Sequence, residues 1–142
     1  MTKKIFTPQQ ADKTLPLVKR IVADILEKGQ KLQRALLDKE KGVLPAPSQV
    51  SALQDQIEGL MKELEQLGCY YKDWSFDIGL IDFPALIEGE EVLLCWRSDE
   101  PDVRWYHGFE EGFPGRRPIP EKLLTATKEV SAQANAKQGI KG

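Results

Sequence analysis

The chain has 142 residues, 41% of them hydrophobic and 30% charged, with a formal net charge of −2, which suits one domain built around one core. Its apolar runs are far shorter than the roughly 20 residues that crossing a bilayer requires, so no membrane span is expected. Two cysteines behind a Met-Thr-Lys-Lys start give neither a disulfide framework nor a secretory signal, and a reducing, cytoplasmic setting is the expectation.

Charge is unevenly distributed. Residues 1–67 carry 11 basic and 9 acidic groups, residues 68–115 carry 3 and 11, and residues 116–142 carry 6 and 2. The middle segment holds all three Trp, all three Tyr, both Cys and the single His, yet its net charge of −8 repels phosphate backbones. A nucleic-acid partner is therefore not expected for it, while the basic C-terminal stretch retains the charge to meet an anionic partner.

Thr7-Pro8-Gln9-Gln10 combines a capping hydroxyl, a proline where a first helical N–H needs no acceptor, and Gln three residues after the cap. A helix is predicted to start there. Pro16 predicts a turn or kink near Thr14, with a long helix following. In it Leu15, Val18, Val22, Ile25, Gly29, Leu32 and Leu36 recur at spacings of three and four, a heptad seam. Gly29 on that seam marks either a close approach by a neighbouring segment or a weak point in the helix.

Lys41–Pro47 breaks the helix with a Gly- and Pro-rich loop, and Ser48 caps the next one. Val50, Leu53, Ile57, Leu60, Leu64 and Leu67 repeat the same spacing until Gly68. The two seams form an antiparallel helical hairpin over residues 8–67. Leu17, Ile21, Leu26, Leu37 and Met61 widen its apolar stripe, a surplus to be covered by the sheet that follows or by a second copy of the hairpin; self-association, as a homodimer, through helices 15–37 and 50–67 is the expectation.

After Gly68 the period falls to two. Strands are predicted near Cys69–Phe76, Leu80–Ile87, Glu91–Arg97 and Val103–His107, with a tight turn at Ile87–Glu90 and a longer loop at Ser98–Asp102. If the first turn centres on Glu88-Gly89 and the loop on Glu100, Asp82 faces Cys95 and Cys95 faces Trp105. One face then carries Ile81, Phe83, Ala85, Ile87, Val92, Leu94 and Trp96 toward the helices. The other carries Leu80, Asp82, Leu93, Cys95, Arg97, Val103, Trp105 and His107, a mixture of aromatic and ionisable groups suited to a ligand surface.

Gly108 to Pro120 reads as an irregular Gly- and Pro-rich loop, and residues 120–142 lose apolar periodicity, which predicts a flexible tail. The fold class is α+β: a long helical hairpin packed on an antiparallel meander of three to four strands. Residues 1–119 form the single domain, with sheet and Gly-rich loop at 68–119.

FTPQQADKTLPLV near the start, then GCYYKDW, GLIDFPA, VLLCWR, EPDVRWYHG and EGFPGRRPI resemble the bacterial family of uncharacterised proteins called DUF2203, over about residues 5–119. The resemblance implies an α+β domain and supplies no reaction, cofactor or catalytic residue.

No nucleophile elbow, phosphate loop or metal-ligand spacing occurs. The candidate ligand-binding residues are Asp82, Cys95, Arg97, Trp105, His107, Arg116 and Arg117, able to bind a small anionic ligand in an acidic and aromatic pocket on the sheet. A divalent metal is the candidate cofactor, with Asp82, His107 and Glu100 as ligands and Asp73 and Cys95 as further donors of accepted type. In an enzymatic version His107 is a general base oriented by Asp82, with Arg97 or Arg116 holding an anion. The plainer roles stand beside these: Cys95 as a small core side chain, Asp73 as a turn former, and Arg116-Arg117 as ion-pair partners of the acidic segment. The functional expectation is a homo-oligomeric binding or scaffolding module with a small-ligand pocket, and the alternative is a small metalloprotein or enzyme built on the Asp82, His107 and Arg97 face.

Overall fold

A computed structural model describes residues 4–40, 42 and 47–124. Helix α1 (Pro8–Glu40) and helix α2 (Pro47–Leu67) form the hairpin, followed by strands β1 (Tyr70–Tyr71), β2 (Leu80–Ile87), β3 (Glu90–Arg97), β4 (Trp105–His107) and β5 (Arg117–Pro118). The strands make one antiparallel sheet in the order β1-β2-β3-β4-β5. No helix among the described residues is long and apolar enough to cross a membrane.

The N-terminus of α1 is a reciprocal cap. The Gln10 amide donates to Thr7 Oγ1 at 3.1 Å, and the Thr7 amide donates to Gln10 Oε1 at 3.0 Å. The turn expected near Thr14 does not form: α1 is one continuous helix through Pro16. Pro16 lies on the exposed side of the helix, and its neighbours Leu15 and Val18 are buried. Each buried aliphatic side chain is worth about 1.5–3 kcal/mol, enough together to offset the roughly 3 kcal/mol that an interior proline costs. The Thr14 hydroxyl donates back to the Gln10 carbonyl at 2.9 Å, within the helix.

Helix α2 ends where Gly68 adopts a left-handed φ of 99°. The Gly68 amide donates to Glu65 O at 3.0 Å and the Cys69 amide to Leu64 O at 3.1 Å, satisfying the last carbonyls.

The core joins Leu15, Val18, Ile21, Val22 and Ile25 of α1 and Leu64 of α2 to Ile81, Phe83, Ala85, Leu94 and Trp96 of the sheet. Phe6 closes one side, pairing with Ala85 and meeting the Phe83 ring edge-on at 5.1 Å. Gly29 is the close-packing position: a β-carbon there would collide with the Phe76 ring. The seam fades beyond it, since Leu36 and Leu37, like Leu17, are exposed.

The sheet departs from the expected meander in three places. Strand β1 stops at Tyr71 because Asp73, Ser75 and Asp77 tie the chain into a turn, Ser75 Oγ donating to Asp73 Oδ2 and accepting from the Asp77 amide. Strand β4 begins at Trp105 rather than Val103; Val103 is buried in the core instead of facing the ligand side, its amide donating to Asp12 Oδ1 at 2.8 Å. A fifth strand forms inside the expected loop, where Arg117 pairs with Tyr106 and Pro118 with Trp105. Residues 121–124 add a helical turn whose Leu123 and Leu124 pack on the core, with their carbonyls accepting from Gln9 Nε2. The tail expected at 120–142 therefore starts late, and residues 125–142 lie outside the described residues, as does most of the 41–47 loop.

Candidate functional site

Strands β2 and β3 are joined by a two-residue turn, Glu88-Gly89, with φ of 52° and 85°, the doubly left-handed form that matches strand twist. That turn sets the register: Ile87 opposite Glu90, Ala85 opposite Val92, Phe83 opposite Leu94, Asp82 opposite Cys95. The next pairing sets Cys95 opposite Trp105 and Leu93 opposite His107. Residues directly opposite share a face. Asp82, Cys95 and His107 therefore project together from the side of the sheet that the helices do not cover.

They meet. One donor atom from each of the three lies within 4.8 Å of the others, and all three residues are buried. His107 Nε2 is 3.1 Å from Asp82 Oδ1, and His107 Nδ1 is 2.8 Å from the Gly108 carbonyl. A carbonyl only accepts, so Nδ1 carries the hydrogen, and Nε2 of the neutral ring presents its lone pair to Asp82. Two lone pairs at that distance need a proton or a cation between them.

Burial raises the Asp82 carboxyl above its ordinary range, opposed by the His107 charge and hydrogen bond and by the Lys72 ammonium. Burial likewise pushes the Cys95 thiol up to about 12, the Asp82 charge adding to the rise and the Arg116 guanidinium pulling the other way.

The cluster floors a pocket of about 280 Å³ walled by Leu80, Leu93, Phe109 and Phe113, with Lys72 at the rim. Its roof is the 108–116 loop, which Glu111 buckles shut. Glu111 accepts the Gly108 amide at 2.7 Å and binds Arg117 through both carboxylate oxygens at 3.0 Å, contacts that hold its carboxyl below the usual range. Behind the cluster, Arg116 pairs with Glu100 through both carboxylate oxygens, with its guanidinium carbon 4.7 Å from the Trp105 ring centre and 4.5 Å from that of Phe113.

The residues expected at the site separate accordingly. Asp82, Cys95 and His107 converge. Trp105 and Arg116 flank them as an aromatic and cationic back wall. Arg97 stays outside the cluster, binding Asp99 at 2.7 Å and 2.9 Å with its guanidinium carbon 5.6 Å from the Phe113 ring centre, and Arg117 lies over Tyr106 on the helix-facing side. Glu100, expected among metal ligands, stands outside the cluster because Arg116 and the Arg97 amide engage its carboxylate; Cys95 is the third donor in its place. Asp73 remains in its turn with Ser75. Sequence reasoning missed Lys72, Phe109 and Phe113. For Lys72 the signal was present: its amide donates to Leu80 O at 2.9 Å, so alternation from Tyr70 opposite Asp82 sets it on the pocket face.

The fold and site define a small α+β protein with a helical hairpin on one face of an antiparallel sheet and a buried oxygen, nitrogen and sulfur donor cluster on the other. The chain belongs to the DUF2203 family: residues 4–119 match the family model described as an uncharacterized conserved protein. No curated protein and no solved structure matches it.

Proposed function

We propose that the protein is a metal-binding module in which Asp82, Cys95 and His107 hold a divalent transition-metal ion, zinc foremost, with a fourth position open to the pocket. The observation that carries this reading is the convergence of three chemically different donors within 4.8 Å at the floor of a pocket. Zinc takes oxygen, nitrogen and sulfur at about 2.0–2.3 Å, so its ligand atoms sit roughly 3–4 Å apart. Closing the cluster to that size takes side-chain movements of about 1 Å. The second shell supports it as well, because His107 Nδ1 already donates to a backbone carbonyl and leaves Nε2 to the ion.

The buried proton or charge that Asp82 and His107 otherwise share is what the cation replaces. A thiolate and a carboxylate on a divalent ion make a neutral unit, which is cheaper to bury than either anion alone. Elemental analysis of untagged protein, with zinc titration after chelator treatment, tests this. One zinc per chain and a raised melting temperature are expected, both lost in Cys95→Ser and His107→Gln; wild-type protein with no bound metal and no shift on zinc addition overturns it.

Self-association is proposed alongside, with a second copy covering α1 beyond Gly29. Leu36 and Leu37, 45% and 53% exposed on that stretch, favour it. Light scattering that gives a monomer mass at high concentration would remove this reading and leave the metal site untouched.

A further inference from the structure

We infer that the open coordination position receives a small organic monocarboxylate, one oxygen on the metal and the other on the Lys72 ammonium. This rests on the metal reading above and adds the class of ligand.

Charge selects the ligand. A divalent ion with the Asp82 carboxylate, the Cys95 thiolate and a neutral His107 sums to zero. Arg116 adds nothing, because both of its carboxylate contacts go to Glu100. Lys72 forms no ion pair among the described residues, yet its charge is felt at Asp82 and its side chain borders the pocket. The loaded site is therefore left with one positive charge at its mouth. A monoanion neutralises it, whereas a phosphate dianion overshoots.

Shape and polarity narrow the choice. The pocket, about 280 Å³, falls just below the roughly 300–1,000 Å³ common for small-molecule sites, so the ligand is short. Leu80, Leu93, Phe109 and Phe113 offer no hydrogen bonds from their side chains, so beyond the carboxylate the molecule is hydrocarbon. A phosphate against those walls would surrender water at several oxygens without replacement.

Cobalt substitution separates this inference from the one beneath it, since cobalt in a thiolate-bearing tetrahedral site absorbs visible light and the bands move when the fourth ligand changes. The cobalt-loaded protein is titrated with sodium propionate, with propionamide and inorganic phosphate as comparisons, in the wild type, Lys72→Gln and Lys72→Arg. Propionate is expected to shift the bands saturably, propionamide to leave them unmoved, and phosphate to bind more weakly. Lys72→Gln should weaken propionate roughly tenfold, the scale of one charge-assisted contact, and Lys72→Arg should recover most of the loss. Cobalt bands that ignore propionate, phosphate that matches it, or Lys72→Gln binding propionate like the wild type would each overturn the carboxylate assignment while the metal site stands. Absence of cobalt bands in the wild type would overturn both.

Discussion

Replacing Gly29 by alanine sets helix propensity against packing, and the structure decides the sign. In an exposed helix interior the change stabilises by about 1 kcal/mol. At Gly29 the new β-carbon would overlap the ring of Phe76, which is 8% exposed, stacks on Tyr71 at 6.2 Å and is held at a left-handed φ of 61°. The ring cannot slide while its backbone carbonyl accepts from Gln30 Nε2 at 2.8 Å, so it must leave its seat. Exposing a seated phenylalanine forfeits about 1.5–3 kcal/mol of burial, which exceeds the propensity gain and leaves a net loss of roughly 0.5–2 kcal/mol. Gly59 is the internal control: it sits on α2 with nothing within 4 Å of the place a β-carbon would take, so Gly59→Ala should stabilise by up to about 1 kcal/mol. Urea denaturation of the three proteins, read by circular dichroism, measures both. A Gly29→Ala protein as stable as the wild type, or more so, would refute the argument that α1 is seated on the 72–79 turn through this contact.

Glu100→Gln should cost about 2–3 kcal/mol in the same assay. It strands the Arg116 charge in a place where the two side chains are only 12% and 15% exposed, discounted from the roughly 3–5 kcal/mol of a fully buried pair because Gln keeps a hydrogen bond. Thr7→Ala removes the hydroxyl that caps α1 and should lower stability by about 1 kcal/mol, a loss that Thr7→Ser should largely avoid. Cys69 is fully buried, its thiol donating to Leu64 O at 3.6 Å and pushed by burial up to about 12. It should resist an aromatic disulfide reagent at pH 8 in folded protein and react at once in guanidinium; rapid labelling of the native state would show that the end of α2 opens.

The register beneath the candidate site was legible wherever a short-range device fixes a long-range pairing. The Glu88-Gly89 turn fixes the register of two eight-residue strands, and alternation then sets Asp82 beside Cys95 and assigns the core face. The same reasoning failed where side chains rather than periodicity decide. Glu100 carries the right donor for a metal, yet Arg116, 16 residues on, takes both its oxygens. Val103 looks like a strand residue until Asp12, 91 residues earlier, captures its amide and draws it into the core. Pro16 reads as a break, but burial of Leu15 and Val18 beside it, against the sheet that follows, offsets the cost of an interior proline.

These successes and failures share a physical cause that also explains why the donors cluster on this face. A helical hairpin can cover only one side of a sheet, and residues on the other side must be solvated or roofed. Here the roof is the 108–116 loop, whose Phe109 and Phe113 wall a pocket rather than fill it, so the polar groups beneath it are buried beside open space instead of within a packed layer. Asp82 and His107, 4% and 3% exposed, are the two buried polar side chains of the described residues, and both lie under that loop. A fold concerned with stability alone would have filled those positions with valine or leucine, as it did one residue away at Ile81, Phe83 and Leu94. A carboxylate, an imidazole and a thiol held there carry a desolvation cost, which the proposed metal ion would offset.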